Sequence, residues 1–162
     1  MSNINVASFS IDHDKLLRGV YVSRRDEVSG GCVTTYDIRM RRPNQEPPME
    51  MAAIHTLEHL LAINLRSPQS GIEQDVVYVG PMGCRTGMYL LLKGERSPQE
   101  VVPVLKAAYK YVLDFEGDVP AATSAQCGNY QEHNLFLAKW EAAAYYEVLG
   151  NIQPQNLEYP AL

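Results

Sequence analysis

Hydrophobic and polar positions divide the chain into seven regular segments. Residues 18–27 (RGVYVSRRDE) and 32–41 (CVTTYDIRMR) are β-like, and the VSGG between them reads as a hairpin turn. In the second stretch Tyr36, Ile38 and Met40 alternate with Asp37, Arg39 and Arg41, so Asp37 and Arg39 share one face of a strand. RPNQEPP (42–48) is a proline-rich loop, and 49–65 has the pattern of a helix. DVVYVG (75–80) and GMYLLLKG (87–94) read as buried strands joined by the tight turn PMGCRTG (81–87).

SPQE at 97–100 is a helix start, with serine at the N-cap, proline at the first helical position and glutamate at the third. That helix is expected to run to about Phe115. DVPAATSAQCGN (118–129) is a second loop, and a last helix is expected over about 131–149 with Gly150 as its stop. The order β-β-α-β-β-α-α predicts an α+β sandwich, a largely antiparallel sheet covered by helices, in a single domain spanning 1–162.

Composition fits that picture. A chain of 162 residues with 46% hydrophobic and 20% charged residues has enough apolar content for a real core. The net charge is −5, and the densest basic run is the short RMRRP at 39–43, so nucleic acid is not an expected partner. No stretch reaches the roughly 18 apolar residues of a membrane span, and the N-terminus lacks the pattern of a signal peptide. A cytoplasmic location is expected. Cys32, Cys84 and Cys127 make an odd count, which in that compartment points to free thiols, ligands or catalysis.

The segment MAAIHTLEHLLA (51–62) sets Ala, Ile and Leu around three polar side chains. At about 100° per residue, His55, Glu58 and His59 fall in one narrow wedge. Histidines at i and i+4 present two imidazoles to one metal ion, and Glu58 then stands where a general acid or base is useful. A third ligand is needed. Cys127, in a loop ahead of a helix, is the best candidate, with His133, Glu132 and Glu141 as competitors. A thiolate favours zinc or ferrous iron over magnesium or calcium. Cys84, between glycines and next to Arg85, is placed for reactivity, since a neighbouring cation raises the thiolate fraction. Cys32 reads as packing.

HTLEH, PMGCRTG and QCGNY, in this order and at these separations, resemble S-ribosylhomocysteine lyase, the LuxS family of autoinducer-2 synthases. The similarity also takes in ASFSIDHDKL and TTYDIRMRRPN and extends over roughly residues 7–148. It implies cleavage of the thioether of S-ribosylhomocysteine to homocysteine and 4,5-dihydroxy-2,3-pentanedione. It implies one Fe²⁺ per subunit, replaceable by Zn²⁺ or Co²⁺, on His55, His59 and Cys127, with Glu58 and Cys84 as the acid–base pair. Ser8, His13, Arg39 and Gly128 match positions associated with substrate; Arg39 is suited to a carboxylate or to holding Cys84 ionised, with Asp37 to orient it. The resemblance implies a homodimer with active sites at the subunit interface. In place of an acidic residue that many members carry before PMGC, this chain has Tyr78.

Two other readings start from the same helix. An HxxEH-type zinc peptidase would use Glu58 to activate water and Glu132 or Glu141 as third ligand. A non-catalytic metal-binding module would close the site with four protein ligands.

Overall fold

In the computed structural model, backbone is described for residues 7–160 and side chains for residues 9–160. Four strands, β1 (Gly19–Val28), β2 (Gly31–Arg39), β3 (Val76–Pro81) and β4 (Gly87–Lys93), form one sheet in the order β1-β2-β4-β3. Every neighbouring pair is antiparallel. Three helices follow the expected order: α1 (Met51–Leu65), α2 (Pro98–Asp114) and α3 (Leu135–Gly150). The expected α+β architecture is the one found.

The helices cover one sheet face. Tyr36, Ile38, Met88 and Leu90 from the sheet meet Ile54, Leu57, Leu105, Tyr109 and Tyr145 from the helices in one core. The opposite face carries the other half of the β2 alternation. Tyr21, Asp37 and Tyr89 stand in register across β1, β2 and β4. That face is closed by the chain's two ends, with Ile11, Leu16 and Tyr21 forming a small apolar cluster against which Tyr159 packs. Asp37 and Arg39 are thus buried beneath terminal segments.

α2 begins as its sequence predicts. The Ser97 hydroxyl accepts from the Glu100 N–H and the Glu100 carboxylate accepts from the Ser97 N–H. α3 starts four residues later than the pattern suggests. Residues 131–134 are held off the helix by α1: the Asn134 N–H donates to Thr56 Oγ1 (3.0 Å) and to the Ala52 carbonyl (3.2 Å). Asn134 then caps α3 through its side chain, which accepts from the Leu137 N–H. Gly150 is the last helical residue, and Asn151 caps the end.

The β2–β4 register sets the next layer of structure. Arg39 is paired with Gly87, so the β3–β4 turn carrying Cys84 lies beside the end of β2. Both Met40 and Arg41 donate their N–H groups to the Thr86 carbonyl (3.0 and 2.9 Å). Gly87 makes this closeness possible, because a β-carbon there would stand 2.3 Å from the Ile38 carbonyl oxygen. We expect Gly87→Ala to lower unfolding free energy by about 1–3 kcal/mol, the usual cost of overpacking, measured by urea denaturation. Unchanged stability would show that the turn is not held by this contact.

Candidate active site

α1 is buried on most of its circumference, through Ala53, Ile54, Thr56, Leu57, Leu60, Leu61 and Leu65. The remaining wedge presents half-buried His55, Glu58 and His59 to a cavity of about 490 Å³. The loop before α3 forms the facing wall with Pro120, Gln126, Cys127 and Gly128, and Tyr78 and Val79 of β3 close a side.

His55, His59, Cys127 and His133 bring one donor atom each to within 4.8 Å of one another. Hydrogen bonds settle which nitrogens are free. His55 donates from Nδ1 to the Glu132 carbonyl (2.9 Å), and His59 donates from Nδ1 to the Pro120 carbonyl (2.8 Å). Each ring therefore keeps its Nε2 lone pair, and that of His55 lies 3.4 Å from Cys127 Sγ. The Asn129 N–H donates to the same sulfur at 3.5 Å. This donor set fits a divalent transition metal: two oriented imidazoles, a thiol, and an outer layer of carbonyls fixing the tautomers.

His133 stands nearer the cluster than its place as one competitor suggests. Its ring stacks on His55 with centroids 4.0 Å apart. Thr56 Oγ1 spends its proton on the Ala52 carbonyl, so it accepts from His133 Nδ1 (3.2 Å) and leaves Nε2 as a buried acceptor without a protein partner. Burial, followed by the charges of His55 and His59, pushes His133 down to about 4, which keeps the ring neutral. The two glutamate competitors lie outside the cluster. Glu141 is buried in an ion pair with Arg41, and the Glu132 carboxylate accepts from Asn129. Neither belongs to the donor cluster, where a peptidase reading requires its third ligand.

Glu58 has no hydrogen-bonding partner among the described residues, and its carboxylate faces the cavity. A β-carbon on Gly128 would meet nothing within 4 Å, so this glycine borders open cavity space. Tyr78 is folded back along β3: a β-carbon on Gly80 would stand 1.9 Å from the Tyr78 hydroxyl oxygen. The ring thus lies over Gly80 and forms part of the cavity wall.

Cys84 is elsewhere. It is exposed in a second cavity of about 320 Å³, lined by His13, Pro43, Asn44, Glu46, Pro48 and Thr86. No residue lines both cavities. The cation beside Cys84 is not the adjacent Arg85, whose guanidinium turns away to donate to the Met49 carbonyl (3.2 Å). Arg39 takes that place, with Nη1 3.9 Å from Cys84 Sγ and 2.7 Å from Thr86 Oγ1. Because Thr86 accepts from Arg39, its own proton is free to point at the sulfur, 3.1 Å away.

The other edge of Arg39 is held by Asp37 in a two-pronged ion pair (3.0 and 2.5 Å). Burial opposes the charge of Arg39, and Asp37 more than offsets it, leaving the guanidinium above its ordinary range. Arg39 therefore reaches the thiol cavity through Thr86 and Cys84, with its carboxylate-binding edge already taken. His13 lines the same cavity, its Nδ1 donating to the Ile11 carbonyl. The Ser8 side chain lies outside the described residues. Thr86 went unmarked in the sequence, where nothing but its place two residues after Cys84 distinguishes it.

The family model for S-ribosylhomocysteinase (LuxS) matches residues 6–155 of this chain. An S-ribosylhomocysteine lyase of Phocaeicola vulgatus is 51% identical over 156 residues, covering 96% of each chain. Lyases of the same name from Clostridium beijerinckii and Desulfotalea psychrophila are 48% and 46% identical, each over 96% of this chain and 98% of the relative. The separated thiol and the histidine–cysteine cluster occur on segments that this match spans, and the chain belongs to the LuxS family.

Proposed function

We propose that this chain cleaves the thioether of S-ribosylhomocysteine to homocysteine and 4,5-dihydroxy-2,3-pentanedione, the precursor of autoinducer-2. The observation that carries the reading is a His/His/Cys donor set beside an unpaired glutamate, in a chain about half identical to named lyases. His55, His59 and Cys127 would hold Fe²⁺, with Zn²⁺ or Co²⁺ as substitutes, since imidazole and thiolate together suit these ions. The bound ion supplies Lewis acidity toward the sugar carbonyl.

The chemistry is two carbonyl shifts, from C1 to C2 and from C2 to C3, followed by β-elimination of the homocysteine thiolate. Each shift removes a proton from one carbon and returns it to its neighbour, with no net oxidant. Cys84 is suited to carry the carbon-bound protons, because the Arg39 guanidinium and the Thr86 hydroxyl both stand against its sulfur. Glu58, free of partners, is suited to moving the hydroxyl protons and assisting the final enolisation. His13 and Gly128 border the substrate from the thiol and metal cavities respectively. Ser8 is assigned to substrate on sequence resemblance alone.

One subunit holds these groups in separate cavities, so a homodimer is part of the proposal: the metal half of one subunit meets the thiol half of its partner. Exposed Ile63 and Tyr78 at the rim of the metal cavity, and exposed Phe9, Phe136 and Trp140 elsewhere, favour a covered surface. A cytoplasmic setting suits three unpaired thiols. No helix among the described residues is long and apolar enough to cross a membrane. A closed, purely structural centre draws support from His133 as fourth donor, but leaves the neighbouring cavity and Glu58 without a role.

Metal content and free-thiol release test the assignments together. After anaerobic loading with Fe²⁺ or Co²⁺, the wild type is expected to release thiol from S-ribosylhomocysteine. Cys84→Ala and Glu58→Gln should retain metal and lose turnover, while Cys127→Ala should lose metal. His133→Ala is expected to keep its metal. Metal loss there would make His133 a fourth ligand, and rapid turnover by Cys84→Ala would remove the thiol from the mechanism.

Tyr78 is expected to contact the amino-acid end of the substrate. Both Tyr78→Ala and Gly80→Ala, which displaces the ring, should raise KM with metal content and kcat held. A fall in kcat at constant KM would instead place Tyr78 in the chemical step.

A further inference from the structure

The tail after α3 makes a contact that lies outside the residues matched by the family model. The match stops at residue 155, whereas Tyr159 lies beyond it and returns to the buried face of the sheet. Its ring stacks on Tyr21, with centroids 4.7 Å apart and planes inclined by 8°. Its hydroxyl donates to Asp37 Oδ2 at 2.9 Å. Asp37 grips Arg39 with both oxygens, and Arg39 reaches Thr86 and Cys84. A continuous line of hydrogen bonds and charge therefore runs from the C-terminal tail to the proposed catalytic thiol.

We infer that Tyr159 is a positioning residue for Cys84, acting through Asp37 and Arg39. The positive charge of Arg39 is shared between Asp37 on one side and Thr86 and Cys84 on the other. A buried carboxylate with no other donor bears fully on its guanidinium partner. A phenol donating to that carboxylate takes up part of its charge, leaving more of the Arg39 field for the sulfur and for the Thr86 hydroxyl between them. The phenol is suited to remain a donor, since burial, then the charge of Asp37, raises it far above its ordinary range. Tyr159 also covers the ion pair from outside, keeping water from an interaction that is strong only when dry.

The inference rests on Cys84 being the acid–base thiol, but its test does not need turnover. The full-length protein is labelled with iodoacetamide between pH 6 and 9, and labelling at Cys84 is followed by peptide mass spectrometry, with Cys32 as internal reference. Tyr159→Phe keeps the stacked ring and removes only the hydroxyl. It is expected to slow Cys84 labelling near neutral pH by roughly three- to tenfold, the weight of one hydrogen bond. The labelling profile should move to higher pH while Cys32 is unchanged. The other titratable groups near the thiol are His13, Glu46, Arg85 and Tyr89; Tyr159→Phe removes a contact from none of them, and Tyr89 shares Asp37 and Arg39 as neighbours. An unchanged Cys84 rate and profile would overturn the inference, whatever happens to catalysis. Turnover by Cys84→Ala would overturn the catalytic reading and leave the labelling result intact.

Discussion

The arrangement depends on how completely α1 is buried. A helix packed by the sheet edge and by both other helices has little surface to spare, and along one wedge the chain sets His55, Glu58 and His59. Polar groups in such a place must find partners or use. Two find both: His55 and His59 donate from Nδ1 to backbone carbonyls of the later loop, His55 Nε2 faces Cys127, and both rings belong to one donor cluster with that cysteine. The same contacts shape that loop, since Glu132 and Pro120 supply the carbonyls. The centre and the irregular segment before α3 therefore specify one another.

A second constraint organises the opposite side of the sheet. Pairing Arg39 with Gly87 fixes the turn that carries Cys84 and Thr86, and a buried ion pair fixes Arg39. Breaking one partner of such a pair leaves an unmatched charge in the interior. The thiol is thus tied to the sheet, in a cavity that shares no lining residue with the one beside His55 and His59. Separate construction of the two halves is the reason the proposed chemistry calls on association between subunits.

Much of this was legible in the sequence. Strand alternation placed Asp37 and Arg39 on one face, the capping serine placed α2, and the i, i+4 histidines marked the metal helix. What escaped depends on contacts between residues far apart in the chain. Beside Cys84 the sequence offers two cations, the adjacent Arg85 and the distant Arg39, and only the fold shows that Arg39, 45 residues away, is the one at the sulfur. The sequence suggests a last helix from about residue 131, but tertiary bonds to Thr56 and Ala52 delay its start to Leu135. Tyr159 meets Asp37 across 122 residues, and no local pattern announces such a pairing.

The central claim is that one subunit's metal half works with its partner's thiol half, and subunit mixing tests it most directly. Cys84→Ala and Cys127→Ala are each expected to be inactive alone, the first lacking the thiol and the second the metal. Unfolding and refolding them together creates mixed dimers in which one interface combines an intact metal half with an intact thiol half. Thiol release from S-ribosylhomocysteine should then return, absent from either parent. No recovery from well-formed, metal-loaded mixed dimers would mean that each active site is completed within a single chain.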